Sequence, residues 1–145
     1  MPLSHFLQAQ APVYAQALDE LRQGTKRSHW MWFVFPQLAA LGRSDRARFF
    51  GLADVAQAQA YVQHPVLGPR LLEATRAMLL HPDRSARDIL GPVDALKFAS
   101  CMTLFALAAP HEPLFAQALQ VFCGGRADAA TLALCRRAEV GRRVP

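Results

Sequence analysis

The sequence predicts an all-α fold: a single compact multi-helix bundle of about six to eight helices around a central apolar helix at about residues 94–109. Three observations carry this prediction. Apolar residues recur at helical spacing along most of the chain, prolines and glycines fall where short helices would start and stop, and the segment 94–109 is apolar nearly all round. A chain of 145 residues, 52% hydrophobic and 19% charged, can bury such a core without disulfides or a structural metal. One helical domain is expected over residues 1–137, followed by a basic tail, 138–145.

The first helix is expected from about Pro12 to Gln23, with Val13, Tyr14, Ala17, Leu18 and Leu21 on one face and Gly24 at its C-terminal end. Ser28 suits the N-cap of a short helix carrying Trp30 to Phe35 and stopped at Pro36; six consecutive apolar residues would also suit a buried strand, but no pairing strand is evident nearby. Ser44 opens a turn or two reaching Phe50-Gly51, and Asp54 caps a segment ending at Gln63. After a corner at Pro65 to Gly68, a stronger helix spans about Pro69 to Leu80. Ser85 caps a short helix ending at Gly91, and Pro92 leads into the central helix, where Leu96, Phe98, Cys101, Met102, Leu104, Phe105 and Leu107 cover most of the circumference. Pro113 opens a helix to about Phe122, closed by Gly124-Gly125, and Asp128 caps the last one, through Leu132 and Leu134 to Arg137.

Composition excludes several classes. The longest apolar runs, Trp30 to Pro36 and Cys101 to Pro110, are far shorter than the roughly 20 residues of a membrane span, so no membrane partner is expected. The start, Met1 to His5, has neither the basic region nor the long apolar region of a secretory signal, and a cytoplasmic location is expected. Cys101, Cys123 and Cys135 show no Cys-x-x-Cys spacing, and the five histidines show no His-x-x-x-His spacing; neither a metal site nor a cofactor is expected. Of the net charge of +5, much lies in residues 136–145, with four arginines against one glutamate. Such a tail can add nonspecific affinity for polyanions, but a solvated, frayed C-terminus is the favoured explanation, and a nucleic-acid partner is not expected. A P-loop and a nucleophile elbow are both missing.

The chemistry-bearing residues gather in two places. Ser28 to Gln37 holds both tryptophans, Trp30 and Trp32, directly after Lys26-Arg27. His29 can act as a general base or contact a ligand, or it can be a hydrogen-bonded structural residue. Lys26, Arg27 and Ser28 place positive charge and N–H groups before a helix start, as an anion site would. One tryptophan can pack inward while the other stacks on a ligand, and Gln37 can read a polar group or stabilise the turn after Pro36. In the central helix, Lys97, Ser100 and Thr103 are spaced three apart, with Asp94 one turn before Lys97 as its ion-pair partner. This stripe is either the wall of a pocket or the exposed edge of the helix. Cys101 lies in too apolar a helix for a nucleophile.

The run Tyr14, Ala17 to Gly24, Lys26, Ser28 to Gln37 and Leu41 to Ser44 resembles the signature of a bacterial domain-of-unknown-function family whose members often carry the label "calpastatin". Further matches are His64 to Gly68 with Arg70 and Leu71, then Asp94, Lys97, Ser100, Met102 to Phe105, Gly125, Asp128, Thr131 and Leu132. The resemblance covers nearly the whole chain. It implies an all-helical single domain, similar to a mycobacterial member of that fold, and no established activity. The label itself does not fit: a calpain inhibitor of that name is a long disordered repeat protein, whereas this chain is compact and apolar. Phe50 stands where a tyrosine is common and Cys101 where a second serine is common, so no role is carried over to those side chains.

These readings converge on a pocket between residues 26–37 and the central helix that binds an anionic small molecule such as a nucleotide or phosphometabolite. Lys26, Ser28, His29, Trp30, Trp32, Gln37, Arg70, Lys97, Ser100 and Thr103 are its expected binding residues, with His29, Lys97 and Asp94 as candidate catalytic groups. The alternatives are a non-enzymatic protein-interaction or stress-accessory module, and nonspecific nucleic-acid binding through the arginine-rich tail.

Overall fold

The computed structural model describes residues 3–143, with side chains described over residues 3–137. Among these residues ten α-helices form: α1 Ser4–Gln10, α2 Tyr14–Gln23, α3 Met31–Val34, α4 Asp45–Phe49, α5 Val55–Gln63, α6 Leu67–Leu79, α7 Ala86–Leu90, α8 Pro92–Ala108, α9 Pro113–Cys123 and α10 Ala129–Arg143. A 3₁₀ turn, Ala39–Leu41, precedes α4. A strand is not found among the described residues; one isolated parallel bridge joins Leu38 to Leu52. Helix α8 is the hub, packed by α5, α7, α9 and α10, while α6 lies against α2, α5 and α9.

Local chemistry explains most boundaries. Ser44, Asp54, Ser85 and Asp128 each accept a hydrogen bond from a backbone N–H of the first turn that follows, so the orphan donors of α4, α5, α7 and α10 are met by side chains the sequence places there. Pro92 and Pro113 occupy first-turn positions, where a missing N–H costs nothing. Gly24 closes α2 with φ of 78°, and the reversal it permits sends the chain back along α2.

Elsewhere the structure departs from the expected boundaries. Helix α1 precedes the expected first helix; its start has no side-chain cap to announce it, and Pro12 lies in the turn between α1 and α2. Ser28 is not an N-cap. Helix α3 is a four-residue turn preceded by Trp30, because the Ser28 hydroxyl is drawn to a stronger acceptor described below. Helix α6 begins two residues before Pro69, with Gly68 against α5. Helix α10 runs on to Arg143; the side chains of the expected tail, 138–145, lie outside the described residues.

The core is a chain of aromatic contacts. Phe6 meets Tyr61 edge-on at 5.1 Å, Tyr61 meets Phe105 at 5.5 Å, and Phe105 meets Phe115 at 5.6 Å. Trp30, Phe35 and Phe98 form a second run, with Phe35 edge-on to Phe98 at 5.1 Å. Helix α8 contributes Phe98, Cys101, Met102, Leu104 and Phe105, all buried. It is not buried all round: Leu96, expected inside, is 72% exposed, and Leu107 is exposed as well. No helix among the described residues is long and apolar enough to cross a membrane.

Gly68 sets the approach of α6 to α5, since a Cβ there would fall on the Val62 carbonyl oxygen. Gly68→Ala is therefore expected to destabilise the fold by about 1–3 kcal/mol despite its better helix propensity. Chemical denaturation followed by circular dichroism reads this directly; a variant as stable as the parent contradicts the close approach.

Candidate functional site

The densest polar arrangement centres on a residue the sequence reading passed over, Glu20. It lies on α2 three residues after Ala17 and next to Leu21, within the apolar stripe, and is only 2% exposed. A carboxylate so placed must collect donors or lose its charge. Oε1 accepts from the backbone N–H groups of Arg27, at 2.7 Å, and Ser28, at 3.0 Å, and from the Trp30 indole at 3.0 Å. Oε2 accepts from the Ser28 hydroxyl at 2.6 Å and the Gln16 amide at 3.1 Å. Burial by itself would raise the carboxyl's pKa; the hydrogen bonds from Ser28, Arg27 and Trp30 outweigh it and lower the pKa from 4.5 to about 2.

This anchor fixes the path of residues 25–30. Thr25 N–H reaches the Glu20 carbonyl and Lys26 N–H the Ile89 carbonyl, both within hydrogen-bond distance. The nearly buried Lys26 ammonium then pairs with Asp94 at 3.0 Å and lies 5.1 Å from the centroid of the Trp30 ring. Asp94 is shared: Lys97, one turn along α8, approaches its other oxygen at 3.6 Å. Two lysines thus face one carboxylate.

Trp32 is half-buried, two positions after the core residue Trp30. The Arg46 guanidinium lies 4.9 Å from the centroid of its ring and the Lys97 ammonium 5.4 Å from it, and the exposed His29 ring is 6.5 Å away. Trp32, Gln37, Phe50 and Lys97 line a cleft of about 10 Å³, room for about one water molecule.

The remaining expected residues are engaged elsewhere. Ser28 and Trp30 donate to Glu20. Ser100 and Thr103 donate to the carbonyls of Leu96 and Ala99 in their own helix, and the Thr103 oxygen accepts from Asp128 N–H at 2.8 Å, fastening the start of α10. Arg70 donates to Gln10 and lies 5.0 Å from the centroid of the Tyr14 ring, in a cluster where Tyr14 donates to Glu73 at 2.6 Å and Gln10 donates to the Phe33 carbonyl and the Tyr61 hydroxyl. Burial raises the pKa of Tyr61, and burial with the bond to Glu73 raises that of Tyr14, so both phenols stay protonated donors. The structure thus brings Trp32, Gln37 and Lys97 to one cleft, with His29 near the Trp32 ring and Asp94 linking Lys97 to Lys26, and seats Arg70 in a separate cluster.

Over residues 1–135 the sequence matches the family described as "Protein of unknown function (DUF1810)". The chain belongs to that family. Its fold is similar, with a TM-score of 0.91, to the crystal structure at 1.38 Å of the conserved hypothetical protein Rv1873 from Mycobacterium tuberculosis, which is 48% identical over 92% of this chain and 96% of that one. No curated protein matches the chain. The family description says nothing of calpastatin.

For this DUF1810 chain the signal that could have revealed Glu20 is its register: an acidic residue inside the apolar stripe of an amphipathic helix, followed by a loop rich in donors. The larger cavity described below was equally hidden, because alanines and leucines from four separate segments enclose it.

The lowered Glu20 pKa has a definite sign. Its stabilising contribution is full above about 4.5, the unfolded value, and is lost as pH falls toward 2. Glu20→Gln is expected to cost about 1–3 kcal/mol at pH 7, since an amide cannot accept from all five donors. Urea midpoints at pH 7 and pH 3 should show the parent losing more of its stability on acidification than the variant; equal losses contradict the assignment.

Proposed function

We propose that this DUF1810 protein binds a small anionic molecule, of the nucleotide or phosphometabolite class, at the Trp32 face. One observation carries the reading: Lys26 and Lys97 share a single carboxylate, and a third cation, Arg46, lies against the same indole as Lys97. Positive charge is therefore in excess beside a half-buried aromatic ring. Lys26 is the closer and more buried partner of Asp94, which leaves Lys97 as the arm for an incoming phosphate or carboxylate. With a cleft of only about 10 Å³, the ligand sits at its mouth, stacked on Trp32 and within reach of the Gln37 amide. Ser28 and Trp30 act as positioning residues through Glu20. His29, Lys97 and Asp94 are the groups able to move a proton there. Ser100, Thr103 and Arg70 support the surrounding helices. This reading assumes the cytoplasmic location expected from the sequence.

A second reading, a protein-interaction module, draws on Val93 and Leu96, which stand 64% and 72% exposed on the first turns of α8 beside Lys97.

The first reading is tested by titrating nucleotides and sugar phosphates against intrinsic tryptophan fluorescence. A saturable change is expected, weakened about tenfold by Lys97→Ala and by Arg46→Ala, each of which removes one charged contact. If nothing in the panel perturbs Trp32, or both variants bind as the parent does, the reading fails.

A further inference from the structure

A cavity of about 410 Å³ lies where α5 begins, α8 ends and α10 crosses the 3₁₀ turn. Its volume is within the range of sites for small organic ligands. Leu38, Val55, Leu107, Leu132 and Leu134 supply apolar walls, with Ala40 and Ala53 at exposed positions on the lining. Leu107, an exposed leucine in an otherwise buried stretch of α8, owes its exposure to this wall. The backbone beside the cavity is already satisfied: Ala39 N–H donates to the Leu52 carbonyl at 2.8 Å and Leu52 N–H to the Gln37 carbonyl at 2.9 Å. The space opens to solvent along Ala40, Ala53 and Leu107, and its leucine and valine walls favour an apolar occupant.

Two charged residues complete the lining. The Asp54 carboxylate accepts from Gln57 N–H at 2.9 Å as the cap of α5. Arg136 is exposed and lines the cavity on the α10 side, so a cation is available at that rim. We infer that this cavity is a binding site for a monomeric amphiphilic carboxylate, its hydrocarbon chain among the leucines and its head group at Arg136. The site is separate from the Trp32 cleft. Gln37 lines one and Leu38 the other, so a single hydrogen-bonded segment divides them.

Calorimetric titration of the full chain with decanoate and with decan-1-ol tests the inference. Decanoate is expected to bind saturably at one site. Ala53→Phe and Ala40→Phe, which fill the cavity from exposed positions, should each abolish binding of both compounds. Arg136→Gln should weaken decanoate roughly fivefold while leaving the alcohol unchanged. Lys97→Ala should leave decanoate binding intact, which separates this site from failure or success at the Trp32 face. Absence of saturable binding, undiminished binding in both phenylalanine variants, or equal affinities of acid and alcohol in parent and Arg136→Gln alike would overturn it.

Discussion

A carboxylate shut away from water on the inner face of α2 imposes the constraint on which the rest of this structure depends. Glu20 takes five hydrogen bonds, three on one oxygen and two on the other. Four of the donors come from Arg27, Ser28 and Trp30, so the chain leaving α2 has little freedom in the path it takes. That path presses the Trp30 ring into the core against Phe35 and presents Lys26 to Asp94 at the start of α8. The ion pair ties the loop to the hub helix, and Lys97 and Trp32 meet as a consequence. A buried charge with complete hydrogen bonding is costly to break and specifies one geometry, and here that geometry belongs to the segment richest in aromatic residues.

Much of the fold was legible because its signals are local. The caps at Ser44, Asp54, Ser85 and Asp128, the prolines at first-turn positions and the glycine at the end of α2 each act within one helical turn, so the sequence alone locates them. Helix α1 carries no such signal and is held by tertiary contacts: Phe6 is fully buried, and Gln10 bonds the Phe33 carbonyl and Tyr61 hydroxyl. Ser28 misled for a related reason. Its residue type suits a cap, but a carboxylate from the preceding helix competes for the hydroxyl and wins, charged acceptors forming the stronger bond. The exposure of Leu96 could not be foreseen either, since periodicity in a nearly all-apolar helix does not reveal which side is left uncovered.

The candidate site was legible in its parts and not in its assembly. Lys97 and Asp94, one turn apart, could be paired from spacing, whereas the closer partner, Lys26, arrives from a loop whose position only Glu20 explains. The stripe of Lys97, Ser100 and Thr103 divides in the structure. Its first member reaches the Trp32 cleft, and the two hydroxyls turn back to helix carbonyls, Thr103 also holding α10. Arg70, a cation by sequence like the others, is absorbed into the hydrogen-bonded packing of α1, α2 and α6. Long-range pairing therefore decided which polar residues are available and which are structural.

The central claim is that Glu20 remains ionised while buried and so holds residues 25–30 in place. Following the Glu20 side-chain carboxyl carbon by NMR while pH is lowered tests it most directly. The account predicts a midpoint near 2, with the Trp30 indole N–H shifting in the same transition. A midpoint at or above the ordinary 4.5, or an indole resonance indifferent to that titration, would contradict it.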